Sequence, residues 1–320
     1  MELPSKSKPR DFLVGFTETL AKSTIEELYP SLKIENISEQ QDAMSNYVFF
    51  VNDKLAFRFA RDRESAENLK REMDILPFLK EHLTARVPNY IYRGVVPNTD
   101  VPFGGYELIE GTQFEPTPRA IPKTEKNLWG KNFGKFLFQL HAIDLKVPKN
   151  IGVPEMDLRA RYSGWLADAQ EYIFPLVTKK VPQRADDLRR FTESSFQWYL
   201  SGDHFNYKPS LLHGDIDYQH VFWDTDSEDV SAVIDWGGIY IGDPDYDLWR
   251  VKQMWGKEFF NEAFSVMPET YRRSELNEKL EFFYTGQLVK RMVRAINQNK
   301  PDQEIDWRID NLLENATKKK

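Results

Sequence analysis

The sequence predicts an α+β fold in two unequal lobes: an N-terminal antiparallel sheet with one helix, and a mainly helical C-terminal lobe carrying a β-hairpin. Three observations predict it. Runs of β-forming residues crowd into positions 32–60, helical periodicity dominates from Asn127 onward, and two short β runs at 221–223 and 230–234 interrupt that helical half. A chain of 320 residues is long for one hydrophobic core and suited to two.

In the first lobe, segments 32–37, 47–51 and 55–59 read as strands, and Asn52, Asp53 and Lys54 join the last two as a tight turn. The expected arrangement is an antiparallel meander. From Ser65 to Leu83 the spacing changes, because Ala66, Leu69, Met73, Leu76 and Leu79 recur at three- and four-residue intervals. That pattern predicts a helix in which Pro77 is the discordant residue. A Gly104-Gly105 turn then leads into the short apolar segment 106–109, and Gly111, Pro116 and Pro118 supply connection chemistry. The lobe boundary is expected there, dividing 1–108 from 109–320.

In the second lobe, Phe133, Phe136, Leu137, Leu140 and His141 fall on one helical face, and further helices are expected over 157–171, 185–200 and most of the chain after Asp247. The polar stretch 225–229 turns the two β runs back on each other. Most of the Trp and Phe residues read as core, with Trp249, Trp255 and Trp307 left as candidates for lining an acceptor pocket.

Composition narrows the function classes. There is no cysteine, which excludes disulfides and thiolate chemistry. No stretch approaches the roughly 18 apolar residues that cross a bilayer, and Pro4, Lys6, Lys8, Pro9 and Arg10 stand where a secretory signal needs an apolar run. A cytoplasmic protein is expected, with no membrane partner. The net charge of −7 disfavours a nucleic-acid partner and favours a cationic small molecule. The basic residues of the two ends, Lys318, Lys319 and Lys320 among them, read as solvated termini.

The hairpin has a chemical consequence, since it folds Asp215 and His220 at one end onto Asp235 at the other. Transfer of a phosphoryl group to a hydroxyl needs a carboxylate to take the proton, and ligands for the Mg²⁺ that neutralises the β- and γ-phosphates. Asp215 suits the first task, Asp235 and His220 the second, although Mg²⁺ prefers oxygen to imidazole. His213 reads as a brace for the loop and His141 as a satisfied core histidine. Asp243 and Asp247 read as turn or helix caps, and Asp217 and Asp245 are the candidates for meeting the acceptor.

His213-Gly214-Asp215 with His220, Asp235-Trp236-Gly237 after Ile234, and Gly242-Asp243-Pro244-Asp245 ending at Asp247 together resemble the signature of the aminoglycoside and macrolide phosphotransferases. These are relatives of choline kinase and, distantly, of protein kinases. Segments 47–51, 55–59 and 68–72 resemble the 2″-aminoglycoside and macrolide kinases in particular, the 2″-aminoglycoside branch most of all. The resemblance implies a bilobal protein-kinase-like fold with Asp215 as catalytic base and Asp235 as main metal ligand. It implies Arg58 in place of the phosphate-binding strand lysine, Glu72 as its helix partner, and backbone contacts to a purine at Glu107 and Ile109. No glycine-rich loop precedes Tyr47, so Ser45 and Asn46 are the small polar candidates to cover the phosphates of ATP or GTP. His220 stands where most relatives have Asn, a substitution shared with the 2″-aminoglycoside and macrolide branches. The implied acceptor is an aminoglycoside. A macrolide or a metabolite such as a sugar, choline or homoserine is the alternative, and a regulatory pseudokinase is the reading from another class.

Overall fold

The computed structural model describes residues 12–13, 15–41, 43, 45–114, 121 and 128–317. Pro116, Pro118, Asn127 and the basic residues of both termini lie outside them.

Helix α1 (Glu18–Leu28), capped by the Thr17 hydroxyl, precedes strands β1 (Ile37–Glu39), β2 (Asn46–Val51) and β3 (Leu55–Ala60). Asn52 and Asp53 both adopt positive φ, 54° and 53°, which is the tight hairpin geometry expected between β2 and β3. The same turn shortens the first strand. Asn52 accepts the N–H groups of Glu35 and Asn36 and donates to the carbonyl of Lys33, so 33–36 finds its partners there instead of in a ladder. Of the expected strand at 32–37 only Ile37 lies in a strand, β1, which runs on to Glu39.

Helix α2 (Arg63–His82) opens with a reciprocal cap between Asp62 and Ser65 and runs through Pro77. Proline removes the hydrogen bond that the Met73 carbonyl would accept, and Arg93 replaces it, donating from Nη2 at 2.7 Å. Strands β4 (Tyr92–Val95) and β5 (Pro102–Glu107) complete an antiparallel sheet in the order β1-β2-β3-β5-β4. β4 escaped the sequence reading because its burial alternates without a matching run of apolar residues. Gly104 and Gly105 are not a turn but the middle of β5. A Cβ on Gly104 would lie 2.5 Å from the Tyr90 ring, and one on Gly105 would lie 2.5 Å from the Phe57 ring, so both are glycine to let aromatic side chains cross the strand. Phe49, Phe57, Phe59 and Phe103 form the fully buried core of this sheet.

The rest is mainly helical: α3 (Trp129–His141), α4 (Lys146–Ile151), α5 (Leu158–Asp168), a π-helical turn, α6 (Phe174–Lys180) and α7 (Pro182–Ser201). Then follow β6 (Ser210–Leu212), β7 (Val221–Asp224), β8 (Asp229–Val233), β9 (Tyr240–Gly242), α8 (Asp245–Ser265), α9 (Leu276–Asn297) and α10 (Asp302–Thr317). β7 and β8 pair as the expected hairpin, and β6 pairs with β9, a contact the sequence did not disclose. Arg86 exchanges backbone hydrogen bonds with Ser231 and Val233, and Thr112 does so with Trp223. The hairpin is thereby fixed to the segments flanking the sheet. Trp223 packs edge-on against Trp129 and Trp255. Trp249 and Trp255 are core residues, 3% and 1% exposed, so neither is free to line a pocket, whereas Trp307 is on the surface.

Candidate active site

The loop after β6 is built around a buried carboxylate on α8. Asp247 accepts the backbone N–H groups of His213 at 3.0 Å and Gly214 at 2.9 Å, and lies 3.1 Å from Nε2 of His141. Gly214 has φ +78°, and a Cβ there would sit 2.2 Å from the carbonyl oxygen of Gly238, so this position tolerates only glycine. His213 donates from Nε2 to the Ile234 carbonyl at 3.0 Å, and its Nδ1 accepts the N–H of Asp215 at 3.3 Å. It braces the loop as expected, and His141 is the satisfied core histidine. Burial first, then the neighbouring His220 ring, holds the His213 imidazole down to about 4.

That shift has a stability consequence with a definite sign. The unfolded chain protonates this ring at a pKa of about 6.5, while the native site keeps it neutral. Unfolding therefore takes up a proton below that pH, and about 3 kcal/mol of stability is lost as pH falls from 6.5 towards 4. Urea midpoints measured across this window should fall, and a His213→Asn variant should lose that part of the slope.

The hairpin brings the predicted groups together. Nδ1 of His220 lies 2.8 Å from the Asp215 carbonyl, and its Nε2 lies 3.4 Å from Oδ2 of Asp235. With Nδ1–H given to the carbonyl, the Nε2 lone pair faces Asp235. One ligand atom each from Asp215, His220 and Asp235 lie within 4.8 Å of one another. Asp235, with the His220 lone pair beside it, can hold a divalent cation, and Asp215 stands next to that place. Asp235 itself adopts left-handed backbone, φ +62°, a conformation uncommon for a non-glycine residue and concentrated at functional sites.

Arg58 joins this group to the sheet. Its Nη1 donates to both oxygens of Glu72, at 2.8 and 2.9 Å, and its Nη2 donates to Oδ1 of Asp235 at 2.9 Å. The Tyr90 hydroxyl adds a third hydrogen bond to Glu72 at 3.1 Å. Arg58 is 9% exposed and Glu72 fully buried, so this is no solvated surface pair. Burial pushes the Asp235 carboxyl up, but the charge and hydrogen bond of Arg58 lead the opposing effects, and the group is held at about 2.

The remaining predicted residues are more dispersed. Asn46 begins β2, buried, and its Oδ1 has no partner among the described residues. Ser45, exposed, accepts the N–H of Arg61 through its carbonyl at 3.5 Å. Glu107 is exposed at the end of β5, and Ile109 follows half-buried in the connection to Gly111. Asp217 accepts the N–H of Gln219 at 3.4 Å and caps the turn that carries His220. Asp245 is fully buried between Arg273 and Lys279, so it has no charge left to present to an acceptor. Asp243 is buried on Lys279 in the same network.

Sequence reasoning missed Arg250. Its Nη2 is hydrogen-bonded to Oδ1 of Asp215, and its side chain is 8% exposed. The signal was present in the spacing: Arg250 lies three residues after Asp247, hence on the same face of α8.

A sheet with one helix packed on it, tied through Arg58 to a helical half that presents Asp215 and Asp235 on a hairpin, is a kinase-like fold. Its class is that of phosphotransferases with an alcohol acceptor. The chain belongs to the phosphotransferase enzyme family, whose profile matches residues 37–282. It is 25% identical over 212 residues to the viomycin phosphotransferase of Streptomyces vinaceus, covering 65% of this chain and 70% of that protein. In fold it resembles the GDP and kanamycin complex of APH(2″)-IIIa, with a TM-score of 0.82, 24% identity, and coverage of 93% and 98% of the two chains. It also resembles the macrolide 2′-phosphotransferase MphH of Brachybacterium faecium, with a TM-score of 0.65, 17% identity, and coverage of 94% and 98%. Among the described residues no helix is long and apolar enough to cross a membrane.

Proposed function

We propose that this protein transfers the γ-phosphoryl group of ATP or GTP to a hydroxyl of a small antibiotic-like or metabolite acceptor, with Asp215 as general base. The observation that carries the reading is the convergence of Asp215, His220 and Asp235 within 4.8 Å. Residues 1–108 form the nucleotide lobe and 109–320 the catalytic and acceptor lobe in this reading. Arg58, held by Glu72, faces the phosphates beneath Ser45 and Asn46, and the backbone at Glu107 and Ile109 meets the purine. Asp235 and His220 hold Mg²⁺, which when bound supplies positive charge against the β- and γ-phosphates.

Asp215 takes the proton of the acceptor hydroxyl as the new oxygen–phosphorus bond forms. The bond from the γ-phosphorus to the bridging oxygen breaks, and the nucleoside diphosphate leaves. The names of the relatives support an antibiotic acceptor. The polycation first suggested by net charge finds less support locally, since of the two carboxylates expected to meet it, Asp217 and Asp245, only Asp217 keeps any exposure.

The test is turnover by purified full-length protein supplied with Mg·ATP or Mg·GTP and a panel of aminoglycosides, macrolides and hydroxylated metabolites. Acceptor-dependent release of the nucleoside diphosphate is expected, lost on chelation with EDTA. Absence of nucleotide binding with Mg²⁺ present would reject the reading.

A further inference from the structure

Basic side chains of α5, α8 and α9 gather beside Asp215. Arg250 of α8 stands on Asp215, and at 6% exposure it retains one guanidinium nitrogen, Nη1, with no hydrogen-bond partner among the described residues. Arg161 of α5 lies over the rings of Tyr240, at 5.3 Å, and Tyr246, at 5.8 Å. Tyr240 reaches the same loop, its ring 2.8 Å from where a Cβ on Gly214 would be, one residue before Asp215. Lys290 of α9 lies 5.6 Å from the centre of the Trp165 ring. It is solvent-exposed yet closely surrounded, and burial together with Arg161, Arg250, Arg294 and Arg291 holds its ammonium down to about 8.

These charges are not offset by carboxylates of their own. Among the described residues neither Arg161 nor Lys290 makes an ion pair, and the carboxylate on Arg250 is the catalytic one. The nearby acids are engaged elsewhere: Asp243 and Asp245 with Lys279, Asp247 with the His213 loop, and Glu281 with Lys252. A half-wet cluster of like charges beside a reacting carboxylate costs stability in the free protein and is relieved by an anion. A polycationic acceptor meets repulsion at the same place.

The geometry points to an acceptor that carries an anionic oxygen group, a carboxylate or a phosphate. Arg161, Lys290 and the free nitrogen of Arg250 bind that group, and its hydroxyl is directed to Asp215. The inference rests on the hydroxyl-kinase reading above and names the acceptor class within it. Guanidinium and ammonium groups around one carboxylate or phosphate are a common basis for such recognition.

The experiment compares nucleoside diphosphate release by the full chain with four kinds of probe: glycerate and gluconate as hydroxycarboxylates, glucose 6-phosphate as a phosphate ester, kanamycin as a polycation, and erythromycin as a macrolide. Turnover with the carboxylate or the phosphate probes is expected to exceed that with kanamycin, and the better of the two arms identifies the anion. Lys290→Gln, at an exposed position that leaves folding intact, should raise the KM of the preferred anionic probe about tenfold or more. Its kcat should stay within about threefold, and Lys290→Arg should restore the KM. Efficient turnover confined to kanamycin or erythromycin, or a KM indifferent to Lys290→Gln, overturns the anionic class and leaves the kinase reading standing. Nucleotide binding without turnover on any probe overturns both.

Discussion

An Asp215→Asn variant is expected to lose about a hundred- to ten-thousand-fold in kcat, the usual contribution of a positioned general base. Its affinity for the Mg-nucleotide should be retained, because Arg58 and Asp235 are untouched. The amide keeps the size of the carboxylate but can neither accept the hydroxyl proton nor balance the buried charge of Arg250. Some loss of stability should therefore accompany the loss of rate, and the assay belongs at a temperature where the variant is folded. Single-turnover kinetics and nucleotide titration separate the two effects. A variant that turns over at the parental rate would remove Asp215 from the chemistry.

The second large effect is structural. Asp247→Ala should cost about 3–5 kcal/mol, because it strips a fully buried acceptor from the N–H groups of His213 and Gly214 and from His141. Urea unfolding would read this directly, and a loss under about 1 kcal/mol, at the level of an exposed pair, would mean that the loop is held by other contacts. Activity should fall further than stability, since the peptide units freed by the substitution are those that orient Asp215.

The chemistry-bearing positions were legible from sequence because a hairpin is a local device. Once residues 225–229 are read as a turn, the ends of β7 and β8 must meet, and His220 and Asp235 meet with them. Helices α2, α3 and α7 were legible for the same reason, their periodicity being written in consecutive turns. What escaped depends on contacts distant in sequence. Gly104 and Gly105 look like turn residues until the rings of Tyr90 and Phe57 are packed over them. Pro77 is discordant inside its expected helix until Arg93 arrives to satisfy Met73. Asp245 has the same local chemistry as an exposed acid, and only the helix carrying Lys279 shows that its charge is taken up internally. Arg250 belongs with these, because its meaning comes from a carboxylate 35 positions earlier in the chain.

The guanidinium of Arg58 joins the two halves of the molecule. Its two terminal nitrogens serve carboxylates from opposite halves of the molecule, Glu72 from the sheet side and Asp235 from the hairpin side. A lysine, with one compact charge, would serve either partner well but not both in this flat arrangement. Loss of this one side chain would leave two carboxylates, one on each side, without their guanidinium at once.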